Sequence, residues 1–206
     1  MTFPVKRFPS QSKGEEVANL MRYDIIAGKL PPKSTISENG IASAYNVSRV
    51  PAREALRILQ NEGLVNLERM GAVVLGMSRQ DMEEITDVRF LIEAFCMNEC
   101  AKASNESLYS YLRYTLEQME IAARNNDFIE VSIQDIAFHE AIIEASNHNR
   151  FLHIWKGIKN IVITTLLIAT EKRMTMEKDK IDSLINKHIE LIDSMKTGES
   201  FKIEES

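Results

Sequence analysis

The sequence is short of the residues that punctuate a chain. Eight glycines and 5 prolines in 206 residues leave few obligatory turns. That scarcity excludes a many-stranded sandwich or barrel and predicts a mostly helical protein. Two cysteines, Cys96 and Cys100, make no disulfide framework and lack metal-finger spacing. Four apart in a helical stretch, they read as buried thiols of a reducing compartment. No apolar run approaches the ~20 residues that span a bilayer. The longest, Ile161 to Ala169, contains two threonines and reads as a buried helix segment. The start, Met1-Thr2-Phe3-Pro4-Val5-Lys6-Arg7, has no apolar signal core. These absences predict a soluble, cytoplasmic chain with no membrane partner. What is present, 44% hydrophobic and 27% charged residues, suffices for a sizeable core in one large or two small domains. A net charge of -5 argues, on its face, against nucleic acid.

Divided along the chain, the charge says something else. Residues 1–80 carry 11 basic and 7 acidic residues, a net of +4, and residues 81–206 carry 14 and 23, a net of -9. Such asymmetry suggests a nucleic-acid module joined to another domain. Apolar residues at Val17, Leu20, Met21 and Ile25 predict a first helix, stopped by Gly28 and broken by Pro31-Pro32-Lys33. A second helix follows Ser37, with Ile41, Ala42 and Tyr45 on one face. After Asn46-Val47, Ser48 caps a third helix with the inner stripe Ala52, Ala55, Leu56 and Leu59; Pro51 is tolerated in its first turn. Gly63 ends it, and Leu64-Val65-Asn66-Leu67 and Ala72-Val73-Val74-Leu75 predict a hairpin. The layout is that of a winged helix-turn-helix, over residues 10–76, with a linker at Met77-Ser78.

The exposed face of the third helix is the candidate DNA surface. Arg49, Arg53 and Arg57 recur every four residues, away from the core stripe. Such a row can meet phosphates and read guanine O6 and N7 in the major groove. The competing reading is a solvated face with local pairs such as Arg53 with Glu54. Three arginines with no acid on their line favour DNA, and Arg69 at the hairpin tip is placed for an adjacent phosphate.

Residues 79–206 read as an all-helical bundle. Ile85, Val88, Ile92 and Phe95 form an inner stripe, and Arg89 lies within about 60° of it at 100° per residue. A buried guanidinium needs a partner, either Glu93 one turn on or an acidic small molecule. On the helix from Phe128 to Ala145, Asp135 and His139 sit inside the line Val131, Phe138, Ile142. On the helix from Ile181 to Met195, His188 falls inside the stripe Ile181, Leu184, Ile185, Leu191, Ile192, Met195. A carboxylate and two imidazoles on inner faces either bind a divalent cation or are satisfied core groups. His148 lies in the polar break Ser146-Asn147-His148-Asn149, His153 opposes Trp155 and Ile158, and the 10 methionines fill packing space.

Leu30-Pro31-Pro32, Ser37-Glu38, the run from Asn46 to Leu59 and Glu62-Gly63-Leu64-Val65 together resemble the DNA-binding domain of the GntR superfamily of bacterial transcription regulators. Asp87-Val88-Arg89-Phe90-Leu91-Ile92-Glu93 and Asp135-Ile136-Ala137-Phe138-His139 resemble the FadR-type effector domain, the FCD bundle. Asn39-Gly40 and Lys33 depart from the family pattern, which often has Arg-Glu and glycine there. The resemblance implies a mainly α protein, a winged helix-turn-helix followed by an FCD-like bundle lacking its last helix. It implies a divalent metal, with Zn, Ni and Mn not distinguishable, held by Asp135, His139 and His188, anchoring a small carboxylate that Arg89 faces.

The expected function is a metabolite-responsive regulator, a repressor and not an enzyme, acting as a homodimer on a near-palindromic double-stranded operator. Ser37, Asn39, Ser48, Arg49, Arg53, Arg57, Arg69 and Gly71 are the residues expected to meet DNA. The alternatives are a metal-dependent hydrolase, since Asp/His/His with open positions can activate water, and a regulator sensing the metal itself.

Overall fold

The computed structural model describes residues 2–69, 71–102, 105–176 and 179–197. These form eight helices and one three-stranded sheet, and the chain divides into two compact units, Met1–Met82 and Glu83–Ser206.

In the first unit, α1 (Lys13–Ile26) starts where Ser12 Oγ accepts from the Glu15 amide. It buries Val17, Ala18, Met21 and Ile25 against α3 (Arg49–Asn61), which contributes Ala52, Ala55, Leu56 and Leu59. Between them lie β1 (Thr35–Ser37) and α2 (Glu38–Ala44), whose Ile41 closes the same core. Asn46, at φ 52, turns the chain into α3. The hairpin is β2 (Val65–Glu68) and β3 (Gly71–Val74).

The sheet is larger than the predicted hairpin. Its antiparallel order is β1-β3-β2, with Ile36 opposite Ala72 and Asn66 opposite Val73. Three residues with an exposed-intermediate-exposed pattern carry no periodic signal, so β1 was not legible locally. Lys33 sits at φ 71, and its amide donates to the Val74 carbonyl at 2.7 Å. A left-handed conformation there is why glycine suits the position, and lysine adopts it with some strain. A Cβ on Gly71 would lie 2.1 Å from the Ile36 carbonyl oxygen, so only glycine lets β3 approach β1.

A buried ion pair ties α1 to the end of α3. The Arg22 side chain is fully buried and donates through Nε to Glu62 Oε2 at 2.7 Å and through Nη2 to Oε1 at 2.6 Å; Nη1 donates to Asn19 Oδ1. The fork-on-fork geometry satisfies both charges away from water.

The second unit holds most of α4 (Arg79–Ala101), then α5 (Glu106–Arg124), α6 (Phe128–Ala145), α7 (Asn149–Met176) and α8 (Asp179–Thr197). Asn105 and Asp127 cap α5 and α6 through the amides of Leu108 and Glu130, each at 3.0 Å. α6 packs between α5 and α7, and α8 lies against α5 and α7. α6 buries Val131, Phe138, Ile142 and Ile143. Among the described residues α7 is long and apolar enough, by length and composition, to cross a bilayer. In this fold it packs on α6, burying Trp155, Ile161, Val162, Leu166 and Leu167.

The inner face of α4 is rotated from the predicted stripe. Ile92, Glu93, Cys96, Met97 and Cys100 are buried, whereas Val88 and Phe95 are exposed and Ile85 is half-buried. Apolar residues lie on several sides of this helix, so periodicity alone cannot choose among them. The expectation that the bundle ends one helix early falls on residues 198–206, which lie outside the described residues.

Candidate functional site

Two clusters of charged side chains stand out, one in each unit. In the first, Arg49, Arg53 and Arg57 are all exposed on one face of α3, opposite its buried stripe. The row is not free of acid, as its own helix suggested. Glu38 of α2 reaches it across the helix-turn-helix. Its Oε1 accepts from Arg53 Nε at 2.8 Å, and its Oε2 accepts from Arg53 Nη2 and Arg49 Nη2 at 3.0 Å each. The hydrogen bonds from Arg53 and Arg49 hold the Glu38 carboxyl at about 2, well below the carboxylate range. Glu54, the local partner considered, instead accepts from Ser12 Oγ at 2.7 Å.

The remaining predicted residues of this face fall into three environments. Ser37 caps α2, its Oγ accepting from the Gly40 amide at 3.0 Å, and Asn39 is exposed in the first turn. Ser48 occupies the N-cap position of α3 but its side chain makes no capping hydrogen bond, leaving the hydroxyl at the exposed helix start. Arg69 is exposed in the hairpin turn, whereas Gly71 is buried in β3. Sequence reading passed over Val50, a branched apolar side chain 76% exposed beside Arg49 and Arg53. An apolar residue on a polar helix face was the available signal.

In the second unit α6 and α8 bring Asp135, His139 and His188 together, all buried. One ligand atom from each lies within 4.8 Å of the others. His139 Nε2 is 3.5 Å from Asp135 Oδ1, and His188 Nε2 is 3.8 Å from Oδ2. His188 Nδ1 lies 2.8 Å from the Leu184 carbonyl, which orients the ring with Nε2 toward Asp135. His139 Nδ1 is 3.0 Å from Glu93 Oε2, out of line for a hydrogen bond. Phe138 packs edge-on to both imidazoles, at 5.3 and 4.7 Å between centroids.

Arg89 joins this cluster from α4. Its Nε donates to Glu93 Oε1 at 2.6 Å, and its Nη2 is 3.7 Å from Asp135 Oδ1. Glu93, treated in the sequence as a plain partner, is therefore a hub between Arg89 and His139. Burial alone would raise its pKa, but the Arg89 guanidinium above all, with the His139 ring beside it, overcomes this and holds it at about 2. Burial pushes the His188 imidazole down, against the attraction of Asp135, which favours the neutral, ligand-competent ring. Asp135 Oδ1, His139 Nδ1 and His188 Nε2 have no hydrogen-bond partner among the described residues. Buried polar atoms left this way are costly. A divalent cation held through His139 Nε2, which faces Asp135, would satisfy Asp135 Oδ1 and His188 Nε2, while His139 Nδ1 stays against Glu93. Donors around ~2.1 Å bonds sit roughly 3–3.5 Å apart, so the triad fits with a small contraction. An open groove of about 610 Å³, with Met174, Ile181, Ile185 and Ile189 in its walls, includes none of these three residues.

A winged helix-turn-helix with an arginine face, joined to an all-helical bundle with a buried Asp/His/His cluster, defines a transcription regulator with its own sensor domain. Comparison with known proteins bears directly on this. Residues 13–75 match the gntR family of bacterial regulatory proteins, and residues 84–205 match the FCD domain. The chain is 36% identical over 197 residues to the gluconate operon transcriptional repressor of Bacillus subtilis (strain 168) and 34% to that of Bacillus licheniformis. Each alignment covers 96% of this chain and 81% of the relative. The chain belongs to the GntR family and is a transcriptional repressor with an FCD effector-binding domain. Two solved structures share the fold: Escherichia coli McbR/YncC, with a TM-score of 0.66 and 16% identity over 93% of this chain and 89% of that one, and a putative GntR regulator from Rhodococcus sp. RHA1, with 0.63 and 24% over 92% and 89%.

Proposed function

We propose that this repressor releases or engages its operator in response to a small carboxylate held in the helical unit through a divalent metal. The observation that carries the reading is the buried trio Asp135, His139 and His188, with one ligand atom from each within 4.8 Å of the others and with Asp135 Oδ1 and His188 Nε2 lacking hydrogen-bond partners among the described residues, beside the Arg89 guanidinium. Asp135, His139 and His188 would hold the metal, which when bound supplies a Lewis-acidic anchor for carboxylate oxygens. Arg89 keeps N–H groups beyond its bond to Glu93 and can receive the same anion. The two relatives named for a gluconate operon make a sugar acid the effector class to test first.

On the DNA side, α3 enters the major groove. Arg49 and Arg53 read guanine edges, Arg57 and Arg69 meet phosphates, and Val50 packs on a thymine methyl. Ser37, Asn39 and Ser48 present hydroxyl and amide groups to the backbone, while Gly71 acts through the sheet it permits. The apolar face of α4, where Phe90 is 51% and Leu91 56% exposed, supports a homodimer in which a second copy covers these surfaces, acting on a near-palindromic site.

Equilibrium binding of a fluorescent duplex carrying the chain's own promoter DNA, titrated with gluconate with and without Zn, tests the scheme. A shift in operator affinity that needs both supports it. A shift with metal alone favours metal sensing, the reading to which the same triad also lends support, and no shift under any combination removes both.

A further inference from the structure

Glu38 is the first residue of α2, 11 positions before Arg49 and 15 before Arg53, yet it binds both. Its side chain is only 13% exposed, while those of Arg49 and Arg53 remain 58% and 55% exposed. Ion pairs this open to water add little to folding, so stability does not account for a carboxylate holding two arginines. Pose does. Arg53 gives Glu38 the Nε–Nη2 edge of its fork and keeps the Nη1–Nη2 edge for a second partner. Guanine O6 and N7 require two donors along one such edge. Arg49 is held through Nη2 alone, with Nε and Nη1 still available.

We propose that Glu38 is a specificity-determining residue of operator recognition, holding Arg49 and Arg53 in the pose that reads guanine. The proposal rests on the reading of α3 as the DNA-contacting helix. Without the carboxylate, each long side chain disperses over its rotamers and must be ordered by DNA. The carboxylate also subtracts one charge from a surface that attracts phosphate. Removing it therefore raises affinity for any duplex while lowering discrimination between duplexes. A residue that merely supports the fold would lower both.

The test uses the full chain and a randomised duplex library, with wild type, Glu38→Gln, Glu38→Asp, Arg49→Ala/Arg53→Ala and the latter pair combined with Glu38→Gln. Wild type is expected to select a half-site containing guanine. Glu38→Gln should bind unselected library DNA several-fold more tightly, with a steeper salt dependence, and discriminate at the guanine positions about tenfold less. Glu38→Asp, with its charge kept and its reach shortened, should lose discrimination without gaining affinity for unselected DNA. In the Arg49→Ala/Arg53→Ala background, Glu38→Gln should cause no further loss of discrimination. Undiminished discrimination by Glu38→Gln overturns the proposal, and so does a parallel loss of both affinities with a lowered melting transition. If wild type selects no sequence, or the arginine pair can be removed without changing the selected motif, the assignment of α3 itself fails and the proposal goes with it.

Discussion

Both units bring a glutamate against arginine, with opposite physical consequences. Glu38 meets Arg49 and Arg53 at the surface, where water solvates whatever the pair leaves open. Glu93 meets Arg89 in the bundle, with the Arg89 side chain 20% and that of Glu93 2% exposed. There Asp135, His139 and His188 crowd the same space. At the surface such a pair is a positioning device that can be exchanged for a phosphate or base at little expense. In the interior every charge must be met by another, and the polar atoms that remain without partners mark where something else belongs. The contrast separates an open arginine surface, where water completes the pairing, from a buried polar cluster, where side chains alone must do so.

The largest expected effect breaks the interior half of that contrast. Asp135→Ala combined with His139→Ala should reduce Zn, measured by elemental analysis after purification without chelator, from about one ion per chain to background, and abolish any effector response. Wild-type protein equally free of divalent metal would remove the metal reading. Next, Glu93→Ala leaves Arg89 buried without its carboxylate and should destabilise the chain by about 3 kcal/mol in urea unfolding. Glu38→Ala, by contrast, should leave the unfolding midpoint where it was. Equal losses in the two variants would erase the distinction between the clusters.

Arg53→Ala should lower discrimination at one base-pair position about tenfold, and Arg57→Ala should weaken binding to all sequences alike with a shallower salt slope. Val50→Ala should cost less, about threefold at a single thymine-bearing position, read by competition between duplexes. The smallest effect concerns pH. The folded-state pKa of His188 lies below the ordinary 6.5, so the unfolded chain binds the proton more readily than the native one. Stability from this group is present above 6.5 and declines as pH falls below it. Protons compete with metal for the same ring, so Zn affinity should fall over the same range. Metal affinity unchanged from pH 7.5 to 5.5 would exclude His188 as a ligand.

Much of this was visible along the chain. The spacing of Arg49, Arg53 and Arg57, the turn at Asn46, and Asp135 and His139 four apart on an inner face are all local patterns within a few helical turns. What escaped were pairings between distant segments. Glu38 lies on another helix from the arginines it holds, β1 is too short to show a period, and Arg22 finds Glu62 40 residues away. α4 was misread for a different reason. Val88, Phe90, Leu91 and Phe95 make it apolar on faces that remain exposed, while Glu93, an acid, turns inward.

The sequence by itself determined which segments are helices, which residues share a face, and that a basic module precedes an acidic bundle, because each of these depends on spacing and charge within one element. Only the tertiary structure decided that Glu38 spans the helix-turn-helix, that α4 rotates to bury Glu93, and that His188 of α8 meets Asp135 and His139 of α6. Helical periodicity specifies the direction of a side chain about its own axis. Which neighbour it meets depends on how helices pack, and that is settled by burial and charge compensation summed over the whole unit.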